Sequence, residues 1–364
     1  MGGIVRKLLN LIENNNNDNV RNLIITYDNS KHLYTNQKNK EKFFFFVKKN
    51  SIVDLVKTLI HIKKLYKINI IHSHGLWDLF NSLIIKFFSF TSIPYLISPD
   101  GMLEPWSLSQ KKIKKKIAMH IYQKKIIQKA KFIIVSSELE KQNILKLNIN
   151  NNVKVIPIGI KLPQIDFREI QKKRKSIYKK NKKKYLLFIS RLHEKKGLNL
   201  LIKSWSEILE KKNWQLILIG DGNLEYTKAL KNLALKLKVG DSVKFLGSIY
   251  DDNLKSKYYQ SSSFFILPTY SENFGLVILE ALSNFLPVAT TNNTPWSEIT
   301  NYKCGVYFEL NSTNLSNTIK FIINLNNIEL DRLSYNSRIL SEKYNIKKIV
   351  NLYNNFYLNS NFET

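Results

Sequence analysis

The sequence is short of cysteine, of acidic residues and of long apolar runs, and each shortage removes a class of protein. One cysteine, Cys304, stands in 364 residues. No internal disulfide framework can staple the fold, and a small buried hydrophobe is the role expected of that thiol. No apolar stretch reaches the roughly 18 residues that span a bilayer. The longest, LFNSLIIKFFSF at 79–90, is interrupted by Lys86. With no signal-like start, the expectation is a cytoplasmic protein, free or held at the inner face of the cytoplasmic membrane.

Acidic residues number 28 against 57 basic ones, for a net charge of +29. Most of the basic residues are lysines in a chain also rich in Asn and Ile, a bias that AT-rich coding sequence produces as readily as selection for charge does. The distribution is more telling: residues 1–184 hold 37 basic and 12 acidic residues, residues 185–364 only 20 and 16. The first half is therefore expected to face something anionic.

What is present is alternation. Strand-like apolar runs fall at 22–28, 42–48, 68–74, 94–99, 131–137 and 153–159, then at 184–190, 214–220, 242–248, 263–269 and 286–292, with helical periodicity between most of them. Continuous apolar strands separated by helices predict parallel sheets covered on both faces, and the length suits two cores. The fold class expected is thus α/β, with two doubly wound Rossmann-like domains facing across a cleft. Residues 1–166 form the first, 185–345 the second, the charged stretch 167–184 is a linker, and 346–364 is a terminal helix crossing back to the first domain.

Chemistry-bearing residues cluster at strand ends. SRLHEKKGL places Arg191, Lys196 and Gly197 between a strand and a helix, where cations and helix N–H groups suit a pyrophosphate. GDG follows the next strand at 220–222. In SENFGLVILEAL, Glu272 precedes a helix expected to start near Phe274, and Glu280 follows after seven intervening residues on a similar face. A carboxylate at such a mouth accepts sugar hydroxyls, while the N–H groups of Asn273, Phe274, Gly275 and Leu276 suit a phosphate. Taken singly, each has a bland reading as a solvated loop, a tight turn or an exposed helix face.

Together, SRLHEKKGL, GDG, VKFLG, SENFGLVILEAL and TPWSEI resemble, in order and spacing, the retaining glycosyltransferases of the GT-B fold, family 4. HSHGLWD and ISPDGMLEPW resemble the branch that builds lipopolysaccharide, capsule and exopolysaccharide. The resemblance implies a nucleotide-sugar donor bound mainly by the second domain and a glycan or lipid-linked acceptor bound by the first. By position, Arg191 and Lys196 would neutralise the diphosphate, Glu272 would bind donor sugar hydroxyls, Glu280 the ribose, and Gly247 and Ile249 would lie near the base. His74 and Asp100 close strands that point at the cleft. Many relatives carry His or Arg where Asp100 stands, so an acid there would face sugar rather than phosphate. The sequence holds no Asp-x-Asp, so neither a metal-bridged diphosphate nor any other cofactor is expected. A truncated, non-catalytic nucleotide-sugar binder is the main alternative. A nucleic-acid binder is the lesser one, because no reader motif accompanies the charge.

Two further features complete the reading. Residues 107–131 form a helical pattern with Ile113, Ile117, Ile121 and Tyr122 on one side and nine lysines around the rest. Such a basic amphipathic helix suits an anionic membrane surface, though its stripe would equally pack on a sheet. Gly2 and Gly3, opening MGGIVRKLLNLIE, match the glycine pair that in the family follows the first strand and approaches the donor phosphate. That strand has no counterpart in the sequence. Its absence is expected to leave an open apolar slot in the first sheet, from a start 10–20 residues upstream or a truncated form.

Overall fold

The structure of the protein, a computed structural model, describes residues 3–28, 44–49, 51–89, 91–208 and 213–360. It divides into two compact units, Met1–Gly159 with Ile346–Thr364, and Ile160–Asn345. The elements of the first unit are α1 (Gly3–Glu13), β1 (Ile24–Tyr27), β2 (Phe44–Val47), α2 (Ile52–Leu65), β3 (Ile71–His74), α3 (Leu79–Phe88), β4 (Tyr95–Ser98), α4 (Pro105–Ser109), α5 (Lys112–Ala118), α6 (Lys124–Lys129), β5 (Phe132–Val135), α7 (Glu138–Leu145) and β6 (Val153–Val155). A π-type turn, Met119–Gln123, joins α5 to α6. The second unit holds α8 (Phe167–Asn181), β7 (Lys184–Ile189), α9 (Leu198–Ser206), β8 (Trp214–Ile219), α10 (Leu224–Lys236), β9 (Val243–Phe245), α11 (Asp252–Ser261), β10 (Phe264–Leu267), α12 (Leu276–Ser283), β11 (Val288–Thr291), α13 (Glu298–Asn301), β12 (Gly305–Phe308), α14 (Ser312–Asn324) and α15 (Asn327–Ser341). The last helix, α16 (Ile346–Asn359), packs in the first unit, where Ile349, Tyr353 and Phe356 join Leu96 of β4 and Ile134 of β5.

The second unit is one parallel six-stranded sheet ordered β9-β8-β7-β10-β11-β12. The order reverses between β7 and β10, and in open sheets ligands bind outside the carboxyl ends of strands at that point. β8, β10 and β11 are buried throughout, as a sheet covered on both faces requires. The strand missed by sequence is β12. It opens on Gly305, a weak strand former, yet a Cβ there would meet the Val288 carbonyl oxygen at 1.8 Å, so the ladder with β11 demands glycine. β6 stops at Val155, short of the expected 159, two residues before Pro157, which cannot donate to a ladder.

The stretch 167–184, read as a linker, is instead helix α8 and part of the second unit. Its charge hides a thin packing face. Ile170 is buried, and Arg174 bonds the carbonyls of Gln260 and Phe285 and the Ser334 hydroxyl at 2.8–3.2 Å. Burial pushes that guanidinium down to about 10. Arg174→Met is expected to destabilise the protein by about 1–3 kcal/mol, by stranding those acceptors, in urea unfolding. Moving α8 also redistributes the charge. Counted by unit, the first holds 28 basic and 11 acidic residues and the second 29 and 17, a much smaller asymmetry than the halves suggested.

In the first unit, β3-β4-β5-β6 form one parallel sheet and β1-β2 another. Between β1 and β3 lies a cavity of about 1070 Å³, and among the described residues no strand occupies it. Gly3 begins α1, with open space where a Cβ would stand; Gly2 lies outside the described residues.

Candidate functional site

At the switch point of the second sheet, the chain leaving β7 makes a 3-10 turn, Glu194–Lys196, closed by Gly197. Gly197 has φ 69°, and a Cβ there would lie 2.0 Å from the Pro268 carbonyl oxygen just beyond β10. Only glycine permits that approach. The Lys195 carbonyl accepts from Tyr270 N at 2.8 Å and from the Thr269 hydroxyl at 3.0 Å, locking the two strand-end loops together. Lys196 is consequently buried, and its ammonium pairs with the Glu272 carboxylate. Arg191 stands exposed on the same loop.

Beyond β10 the helix begins at Leu276, later than the expected start near Phe274, because Gly275 holds a left-handed backbone at φ 76°. Phe274 is buried against Trp296 and Tyr344, and Trp296 Nε1 donates to its carbonyl. Its side chain thus anchors the loop, while Glu272, Asn273 and Leu276 remain half-buried. Glu280 sits about one turn into α12. Its carboxylate accepts from Lys255 Nζ at 2.9 Å and from the Tyr259 hydroxyl at 2.9 Å. These two residues of α11 were not found by sequence, although their spacing of four puts them on one helical face. Gly247 and Ile249 follow β9 and are half-buried. Gly247 also takes a left-handed backbone, and its carbonyl accepts from Gly220 N at 2.8 Å, bringing GDG beside it.

The first unit carries a second cluster. His74 ends β3 and Asp100 follows β4; His74 Nδ1 lies 3.3 Å from Asp100 Oδ2, and Lys7 Nζ of α1 lies 2.8 Å from Asp100 Oδ1. Burial alone would push the Asp100 carboxyl up, but the Lys7 ammonium and the His74 ring outweigh it and hold the group well below the usual carboxylate range. Burial depresses both His72 and His74, so both stay neutral at pH 7. His72 is a structural residue, bonded to the Tyr357 hydroxyl at 2.7 Å and the Ser98 hydroxyl at 2.9 Å. Lys7 went unseen because a lysine on an amphipathic helix ordinarily points to water. The loop is pinned from beneath by buried Glu140, which accepts from Gly101 N at 2.8 Å.

Residues 169–339 match the family described as Glycosyl transferases group 1, and residues 1–163 match Glycosyltransferase Family 4. An uncharacterized glycosyltransferase of Haemophilus influenzae is 36% identical over 46% of this chain and 47% of its own. An alpha-monoglucosyldiacylglycerol synthase of Streptococcus pneumoniae is 30% identical over 44% and 37%. The chain therefore spans about half, or less, of the curated relatives it matches. Among solved structures, Anabaena HepE in complex with UDP and glucose superposes with a TM-score of 0.77 at 18% identity, covering 99% of this chain and 96% of that one. The parallel sheets, the two family matches, which together span most of the chain, and the structural likeness meet on one conclusion: this chain belongs to the group 1, family 4 glycosyltransferases and has their GT-B fold.

Proposed function

We propose that the protein transfers a sugar, with retention, from a UDP- or GDP-sugar to a glycan or lipid-linked acceptor in cell-surface polysaccharide synthesis. The observation that carries this reading is the buried Lys196 paired with Glu272 between two left-handed glycines at the switch point. As the sugar–phosphate bond breaks, negative charge grows on the diphosphate; Lys196, Arg191 and the first N–H groups of α12 are the groups that would meet it. Glu272 would accept donor hydroxyls. Glu280, fixed by Lys255 and Tyr259, would take the ribose hydroxyls. Retention follows a front-face path in which the leaving phosphate takes the acceptor proton, so neither a side-chain nucleophile nor a metal is invoked. His74 and Asp100, bound to each other, would face sugar. The UDP and glucose of the HepE complex support a sugar nucleotide as the donor class. The test is a thermal-shift panel of UDP- and GDP-sugars, since a bound donor raises the midpoint by mass action. One donor is expected to shift the protein, less so in Glu272→Ala. No shift with any donor would refute the reading.

The acceptor side is proposed to meet an anionic membrane. Ile113, Ile117 and Ile121 are 77%, 53% and 67% exposed, so these three of the stripe do not pack on the sheet; Tyr122 is half-buried, and Gln123 and Ile127 are buried. Lysines flank the stripe, each contributing about 1 kcal/mol near an anionic leaflet. The diacylglycerol named for the pneumococcal synthase supports a lipid acceptor. In flotation with anionic vesicles, salt-sensitive binding is expected, and Ile113→Asp with Ile117→Asp should weaken it at least about tenfold. Binding absent from the wild type would remove the membrane from the account.

A further inference from the structure

The second unit carries its excess charge in one place. A coding bias toward lysine would load the unit evenly. Yet 167–184 holds ten of its 29 basic residues and one of its 17 acidic ones, leaving 19 and 16 in the remainder. Most of that stretch is α8, and four of its cations form a row. Arg168, Lys172, Lys175 and Lys179 recur at i, i+4, i+7 and i+11, one helical face, and all four are exposed. Lys182, which closes the helix in a left-handed backbone, and Lys183 extend the charge beyond its end and are exposed as well. Among the described residues, none of these six cations is in an ion pair.

The opposite side of α8 is anchored. Ile170 is buried, Lys173 Nζ donates to Gln260 Oε1 of α11 at 2.7 Å, and Gln171 Nε2 donates to Asp331 Oδ2 of α15 at 2.6 Å. The Phe167 ring lies 5.3 Å from that of Phe285 and 5.7 Å from that of Tyr335. With Arg174 bonded as described above, the helix is held along its length and presents the row outward.

The spacing of the row selects among polyanions. One cation per turn is one per about 5.4 Å, sustained over about 16 Å from Arg168 to Lys179. A nucleic-acid strand carries a phosphate every 3.4 Å or about that, more charge than the row can match. Proteins that hold single strands also offer aromatic platforms, and Tyr178 is the one exposed aromatic of α8. A membrane-surface helix sets aliphatic side chains beneath its lysines, whereas Ile170 and Ile177, the aliphatic residues of α8, lie on the packed side. A polysaccharide with one carboxylate per sugar spaces its charges by the length of a ring, which is close to one helical turn. Lysine ammoniums meet such carboxylates as point charges and need no fixed register.

We infer that the exposed face of α8 is a binding surface for an acidic polysaccharide, an extended chain with carboxylates on successive sugars laid along the row. It would keep a growing acidic glycan at raised local concentration between transfers. That the polyanion is a carbohydrate rests on the sugar-transfer reading, but binding is measured without turnover, so either can fail alone.

The experiment titrates the full chain into an end-labelled oligogalacturonate and follows anisotropy across a salt series. Saturable binding that weakens with salt is expected. Lys172→Glu, Lys175→Glu and Lys179→Glu together, all at exposed positions, should weaken it at least about tenfold and lower the slope of log affinity against log salt by about two or more. The matching reversals in α5, Lys112→Glu, Lys114→Glu and Lys116→Glu, should change it by less than about twofold. The carboxyl-reduced oligomer, which is neutral, should not bind, and the α8 substitutions should leave flotation with anionic vesicles unchanged. The inference would be overturned by no saturable binding, by an α8 variant that binds like the wild type, or by an α5 variant that loses as much. Tighter binding of an oligothymidylate of equal length would assign the face to nucleic acid, and loss of vesicle binding in the α8 variant would assign it to a membrane; each overturns it too.

Discussion

Alanine in place of Lys196 is expected to lower release of nucleoside diphosphate from the preferred donor by about 10²- to 10³-fold, the loss typical of removing one preorganised stabiliser of developing charge. The surroundings of Lys196 hold it in place. Gly197 allows the turn to sit against Pro268, Thr269 and Tyr270 anchor the neighbouring carbonyl, and Glu272 keeps the ammonium at the strand ends. In the proposed role, an ammonium held this way would need little reorganisation as the bond breaks. The effect should fall on kcat more than on KM, because the interaction strengthens only as charge develops. Lys196→Arg should recover part of the rate, since charge is kept while geometry changes. An alanine variant with unchanged kcat would mean that the diphosphate is met elsewhere.

The second large effect concerns stability. Asp100→Ala is expected to cost about 3–5 kcal/mol in urea unfolding, because it leaves the Lys7 ammonium buried without its partner. The side chains of Lys7 and Asp100 are 3% and 6% exposed, so solvent screens the pair little. Lys7→Met combined with Asp100→Leu should recover much of the loss, an ion pair of this kind being replaceable by apolar groups. The pH dependence follows from the directions of the shifts. Asp100 titrates lower in the folded than in the unfolded protein, so its contribution is complete above about pH 4 and is lost as pH falls. For Lys7, burial pulls the ammonium down and Asp100 more than offsets it, so its contribution is complete below about pH 10 and is lost only at higher pH. His72 and His74 are lowered in the fold, so stability declines first as pH drops below about 6.5. A wild-type midpoint flat from pH 5 to 8 would show that the two rings are not held neutral.

Much of this was legible in the sequence, and what escaped did so for physical reasons. Apolar runs between helical patterns located the strands because parallel strands are apolar on both faces. Gly197, Glu272 and Gly275 could be read because local backbone geometry fixes where they stand. Lys7, Lys255 and Tyr259 could not, since each is defined by a partner 93, 25 and 21 residues away, and no local signal separates a paired lysine from a solvated one. Helix α8 was hidden by its own lysines: with a single fully buried aliphatic and an arginine that packs through hydrogen bonds, its periodicity is too thin to separate from a charged linker. In the lysine-rich segment 107–131 the sequence left open which face packs; there Ile113, Ile117 and Ile121 are exposed while Gln123 of the π-type turn and Ile127 are buried.

The most direct test of the central claim is turnover. The protein, incubated with each of a panel of UDP- and GDP-sugars and with lipid-linked or glycan acceptors, is expected to release nucleoside diphosphate from one donor and to give a product with the donor's anomeric configuration. That release should disappear in Glu272→Ala and fall steeply in Lys196→Ala. Release that persists in both variants, or a product of inverted configuration, would contradict the account.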